Sequence, residues 1–131
     1  MITVLFACVH NAGRSQMAAA WFNALADPAK ARAASAGTHP GSLVHPAVVE
    51  AMREAGIDLT GAMPHRLTDQ LASESQWLIT MGCGEECPVV PGVKREDWEI
   101  DDPAALPLDR VRQIRDDIRT RVEAFLERER L

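Results

Sequence analysis

The sequence predicts an α/β fold, a three-layer sandwich in which a four-stranded parallel sheet lies between helices, and three observations carry that expectation. Two apolar runs, "ITVLFAC" (residues 2–8) and "QWLITMG" (76–82), read as strands covered on both faces. Helical patterns alternate with strand candidates along the chain, as βα units require. A long amphipathic segment, residues 108–131, puts Leu108, Val111, Ile114, Ile118, Val122 and Phe125 on one stripe.

In order, the first run stops at Cys8, and a helix follows from Ser15, read as its N-cap, with Met17, Ala20, Trp21, Ala24 and Leu25 at helical spacing up to the "DP" at Asp27 and Pro28. "ARAASAGTHPG" (31–41) reads as a short strand broken by Gly37, Pro40 and Gly41. Pro46 opens a helix that Gly56 ends, and "LTDQLASES" supplies a short one. The strand at 76–82 runs directly into Cys83, "KREDWEI" (94–100) is a weaker edge strand, and "DDPAALP" (101–107) is a proline-bounded loop.

At 131 residues the chain fits a single domain, residues 1–131. A net charge of −5 disfavours nucleic-acid and membrane-surface partners, which are polyanions and need a basic face. With no apolar window of membrane length and no basic stretch before the first apolar run, we expect a soluble, cytoplasmic protein, acting as a monomer. Three cysteines without an export signal argue against a structural disulfide framework and leave metal binding, redox chemistry or nucleophilic catalysis open.

Parallel sheets bind ligands outside the carboxyl ends of their strands, and both Cys8 and Cys83 stand at such ends. Between strand and helix, "CVHNAGRS" can curl so that the amides of Val9, His10, Asn11, Ala12 and Gly13 surround an anion, with Gly13 relaxing the backbone. The helix dipole and the planar fork of Arg14 suit the same oxyanion. A thiol at the head of this nest is favoured as thiolate, the attacking form, and Ser15 is placed to hydrogen-bond the sulfur. His10 and Asn11 shape the loop. A strand-ending cysteine is often only a small apolar residue, but strand, glycine, arginine, serine and helix together favour chemistry.

The C-x5-R-S of Cys8 to Ser15 resembles the phosphate-binding loop of low-molecular-weight protein tyrosine phosphatases and of the arsenate reductases that share their flavodoxin-like fold. "SAGT" (35–38), "GID" (56–58), the cysteine pair in "MGCGEECPVVPG" and "DWEIDDP" (97–103) favour the reductase branch. The resemblance implies that Cys8 attacks arsenate, that Asp102 protonates the departing oxygen, that Cys83 then forms a disulfide with Cys8, and that Cys87 takes over Cys83. A Cys83–Cys87 disulfide in a glycine- and proline-rich segment would then be open to an external dithiol such as thioredoxin. Such an enzyme serves arsenic detoxification and binds no cofactor; phosphate or sulfate would mimic arsenate.

Two departures from the family pattern matter. Only "GEE" separates Cys83 from Cys87, where thioredoxin-coupled members have a wider gap; one helical turn or a tight loop meets the roughly 4.4–6.8 Å that a disulfide needs between Cα atoms. The short gap also suits relatives that use mycothiol with a mycoredoxin. Asn11 and Ser35 match a potassium site of some members, but Ala19 stands where those carry a glutamate, so no bound metal is expected.

Two other functions compete. A tyrosine phosphatase would use Cys8, Arg14, Ser15 and Asp102 equally well, but phosphatases of this fold carry aromatic residues after the "DP", where this chain has Ala104 and Ala105, and it contains no tyrosine. A zinc- or arsenite-binding module could draw on Cys8, His10, Cys83 and Cys87, although Arg14 would repel a metal. From the residues alone, Asp101 and Asp102 are equal candidates for the acid. His39, His45 and His65 read as solvated loop residues, Trp21 and Trp77 as packing residues, and Trp98 as a wall beside Asp102.

Overall fold

Four parallel strands in the order β2-β1-β3-β4 form the sheet of this computed structural model, which describes residues 1–83 and 87–131. The elements are β1 Ile2–Cys8, α1 Arg14–Leu25, β2 Ala31–Gly37, α2 Pro46–Glu54, α3 Asp69–Ser73, β3 Trp77–Thr80, β4 Lys94–Asp97 and α4 Leu108–Glu129. The layered α/β architecture expected from the alternation is present. The turn expected between the two later cysteines, residues 84–86, lies outside the described residues.

β1 is central because both its faces are apolar: Val4, Leu5, Phe6 and Ala7 are fully buried. Strand alternation divides them. Val4, Phe6 and Cys8 face the layer of α1, α2 and α4, with Met17, Phe22, Val48, Met52, Ile114, Ile118 and Phe125. Leu5 and Ala7 face the other layer, where Ala36, Ala72, Leu78, Cys83 and Cys87 gather. The α4 stripe read from the sequence is the buried one, and the Phe6, Phe22, Trp98 and Phe125 rings meet at centroid distances of 5.6–6.5 Å.

Two boundaries and the place of one side chain differ from the sequence reading. α1 starts at Arg14 with Gly13 as its cap, so Ser15 lies inside the helix and caps nothing. β3 is shorter than residues 76–82, because Gly82 takes φ +102° and turns the chain. Trp98 lies 6% exposed against Phe6, in the core rather than beside Asp102.

From β1 the chain crosses to β2 on one side, and β3 flanks β1 on the other. The carboxyl ends of β1 and β3 therefore border a crevice at the point where strand order reverses, the place where such sheets hold ligands.

Candidate active site

The loop after β1 is held by its carbonyls. Thr38 N donates to Cys8 O (3.2 Å), His39 N to Val9 O (2.7 Å), Gly41 N to His10 O (2.9 Å) and His45 N to Ala12 O (2.9 Å). With these oxygens taken by the chain after β2, the amides are left over: among the described residues, those of His10, Ala12, Gly13 and Arg14 donate to no protein acceptor. The two segments touch so closely that a Cβ on Gly37 would lie 2.6 Å from Val9 O, which is why β2 must end in glycine.

Asn11 sets the curl. It adopts φ +50°, a left-handed conformation that asparagine tolerates better than most residues. Its side chain is fully buried: Nδ2 donates to Ser15 Oγ (2.7 Å), and Oδ1 accepts from His65 N (2.9 Å) and Gln16 Nε2 (3.1 Å). His10 Nδ1 lies 2.9 Å from the His39 carbonyl. These contacts tie both residues to the chain around the loop.

Cys8 is a free thiol, 2% exposed, with two polar groups on its sulfur: Asn11 N donates at 3.2 Å and the Ser15 hydroxyl lies at 2.8 Å. Asn11 Nδ2 donates to Ser15 Oγ and so holds the hydroxyl beside the sulfur, where it can donate to the thiolate. Such a pair stabilises negative charge on Cys8.

The Arg14 guanidinium reaches across to the far side of the crevice. Nη1 donates to Ile100 O (3.3 Å) and Nη2 lies 3.7 Å from Asp102 Oδ2. It rests on Gly82, where any Cβ would fall on Nη1. Asp102 is separated from Asp101 by these contacts: Asp101 is bound by Arg110 of α4, whereas Asp102 turns to Arg14, accepts from Ala104 N (3.0 Å) and keeps a side chain 47% exposed. Pro103 packs on the loop, 2.6 Å from where a Gly13 Cβ would stand.

Cys83 and Cys87 form a disulfide with Cα atoms 5.6 Å apart, within the usual range. The sequence suggested an accessible bridge. Instead both residues are buried, 6% and 3% exposed, because they complete the apolar layer under Leu5, Leu78 and Ala72. Cys87 alone of the two borders an open groove of about 920 Å³, which also runs past Thr80, Gly82, Arg95 and Trp98. Among the described residues, no three His, Cys, Asp or Glu side chains gather as ligands.

Asn11 N and Ser15 thus meet at the Cys8 sulfur, Arg14 and Asp102 meet over Gly82, Pro103 joins the second group to the loop at Gly13, and Cys83 lies one residue beyond the glycine under Arg14. Gly82, Gly37 and Gln16 were missed by the sequence reading; only the contacts of Arg14, Val9 and Asn11 reveal them. His39 and His65 are exposed as expected, while His45 is half-buried beside Gly13.

Residues 3–131 match the family described as low molecular weight phosphotyrosine protein phosphatase. The chain belongs to that family. Within it, the chain is 35% identical over 131 residues to an arsenate reductase of Staphylococcus aureus, covering 96% of this chain and 97% of the relative. A solved thioredoxin-dependent arsenate reductase of Corynebacterium glutamicum is 38% identical with a TM-score of 0.84; it covers 97% of this chain, which spans only 61% of that longer one. An arsenate reductase in its phosphate-binding state superimposes with a TM-score of 0.84 at 29% identity, over 98% of each chain.

Proposed function

We infer that this protein is an arsenate reductase, and the observation that carries the reading is the coexistence of an oxyanion crevice headed by a free thiol and a Cys83–Cys87 disulfide at the end of the adjacent strand. A phosphatase needs the first feature only. The arsenate reductases among its relatives support the same choice.

In the proposed cycle, the amides of the loop and the Arg14 fork bind arsenate, and Cys8 Sγ attacks arsenic. The departing oxygen takes a proton from Asp102 and leaves as water. Cys83 thiolate next attacks Cys8 Sγ; the S–As bond breaks, its electron pair stays on arsenic, and arsenite departs while a Cys8–Cys83 disulfide forms. Cys87 thiolate attacks Cys83 Sγ, and Cys8 leaves as a thiolate stabilised by Ser15 and Asn11 N. Two thiols have supplied two electrons. The disulfide seen here, with Cys8 free, matches the end of this sequence.

An external thiol reductant must then reopen Cys83–Cys87. We propose thioredoxin, on the strength of the thioredoxin-dependent relative and of an intramolecular disulfide that a dithiol can reduce. Mycothiol with a mycoredoxin would instead take the place of Cys83 on Cys8 and leave the pair unused. Because the bridge is buried, the reductant approaches from the groove that Cys87 borders. A cycle that relies on reduced thiols suits the cytoplasm, where we place the protein as a monomeric, single-domain enzyme.

The test is turnover of arsenate with thioredoxin, thioredoxin reductase and NADPH, repeated with mycothiol and mycoredoxin. NADPH oxidation in the first mixture and loss of it in Cys8→Ser are expected. Turnover that survives Cys8→Ser would sink the assignment, and turnover only with mycothiol would replace the proposed donor.

A further inference from the structure

β4 is the edge of the sheet, and its alternation sends Arg95 and Asp97 to the same face as Leu78 and Thr80, their register partners on β3. That face carries the disulfide. Asp97 Oδ1 accepts a hydrogen bond from Thr80 Oγ1, and Arg95 Nε lies 3.5 Å from the same carboxylate oxygen. The Arg95 guanidinium, thus anchored to the sheet, sends Nη1 to two successive carbonyls, Cys87 O and Pro88 O, each at 3.4 Å.

We propose that Arg95 is a positioning residue for the resolving step, holding the Cys87 backbone at bonding distance from Cys83. The proposal rests on the reading of Cys83 and Cys87 as the redox pair. Its physical basis is effective concentration. The step forms the Cys83–Cys87 bond and breaks Cys8–Cys83; the electron pair leaves with Cys8 as thiolate, and the Cys87 proton goes to water. No external oxidant enters. The step requires Cys87 Sγ to meet Cys83 Sγ, and chain entropy opposes that meeting unless the Cys87 backbone is held.

A charged donor on the Cys87 and Pro88 carbonyls supplies that hold. Both bonds are long, so each contributes modestly, but they act together with the ion pair that orients the fork. Lysine cannot replace this arrangement, since its single ammonium cannot serve Asp97 and both carbonyls in the same geometry. Neither Arg95 nor Asp97 contacts the Cys8 crevice among the described residues.

The experiment measures the thiol–disulfide equilibrium of the pair itself. In a Cys8→Ser background, which leaves Cys83 and Cys87 as the only cysteines, the protein is equilibrated with reduced and oxidised glutathione, and the oxidised fraction is read by thiol alkylation and mass. Arg95→Met is expected to lower the effective concentration of the pair by roughly three- to ten-fold, with Arg95→Lys in between. Asp97→Asn, which frees the fork, should lower it in the same direction. An equilibrium unchanged in Arg95→Met and Arg95→Lys overturns the proposal, even if the melting temperature falls, because a purely structural role would destabilise the dithiol and disulfide forms alike. If Arg95→Met fails to fold, Arg95→Lys and Asp97→Asn decide it by the same readout. Arsenate turnover that survives Cys87→Ser would remove the reading of Cys83 and Cys87 as the redox pair while leaving this titration intact, so the two failures are distinguishable.

Discussion

The Ser15 hydroxyl lies 2.8 Å from the Cys8 sulfur, on the first turn of the helix whose amino end closes the oxyanion crevice. In the proposed cycle the sulfur of Cys8 takes negative charge each time it leaves, and the buried Ser15 hydroxyl, held by Asn11 Nδ2, is placed to offset it. Ser15→Ala is therefore expected to slow arsenate turnover by about 10- to 100-fold, the range for one hydrogen bond to a charged group. Phosphate affinity, assigned in the proposed cycle to the amides and Arg14, should change little; steady-state kinetics and phosphate competition check both.

Gly82 is the floor under the Arg14 guanidinium, at φ +102°. Gly82→Ala adds a Cβ in a strained backbone and drives the fork away from the crevice. KM for arsenate is expected to rise at least about tenfold, since a bidentate cation–oxyanion contact is lost, while circular dichroism retains the helical signal of α1 and α4. An unchanged KM would mean that Arg14 does not bind substrate from this position.

The two neighbouring carboxylates should separate sharply. Asp102→Asn removes the group that faces Arg14, and kcat is expected to fall by about 10²- to 10⁴-fold, the usual range for a lost general acid. Asp101→Asn breaks only a tie to Arg110 on α4 and should leave kcat within a few-fold of the parent. Equal effects from both would contradict the role given to Asp102.

Glu54 at the end of α2 receives both Nε and Nη2 of Arg112 on α4, at 2.8 and 2.7 Å. The hydrogen bond from Arg112 holds its carboxyl below the ordinary value of 4.5, with the positive charges of Arg112, Arg115 and Arg53 acting in the same direction against its partial desolvation. A folded-state value below the unfolded one gives stability that is present above pH 4.5 and is lost as the pH falls through the folded value. The urea midpoint of Glu54→Gln should lie slightly below that of the parent at pH 6, and the gap should close towards pH 3. A gap that widens on acidification would reverse the sign and contradict this pairing.

Much of the fold was legible because the central elements obey simple periods. "VLFA" is apolar on both faces, so β1 had to be internal, and the α4 stripe follows a helical repeat that nothing interrupts. The crevice was legible as far as its residues adjoin in sequence, from Cys8 to Ser15. Contacts between distant segments were not. Gly82 beneath Arg14, Gly37 against Val9 and Pro103 over Gly13 are steric facts of three loops meeting, and a lone glycine or proline does not announce its neighbour. Ser15 reads as a helix cap because serine favours that position; instead Gly13 is the cap, and the Ser15 hydroxyl lies against the Cys8 sulfur. The burial of the disulfide was hidden too, since a segment rich in glycine and proline reads as surface, whereas here two sulfurs complete an apolar layer.

The order of the three thiols is the central claim, and Cys87→Ser tests it most directly. Reduced Cys87→Ser protein, mixed with excess arsenate and the thioredoxin system, should release one arsenite per enzyme and then stop, with Cys8 and Cys83 joined in a disulfide detectable by mass after digestion. Sustained turnover by Cys87→Ser, with Cys8 recovered as a free thiol, would contradict it.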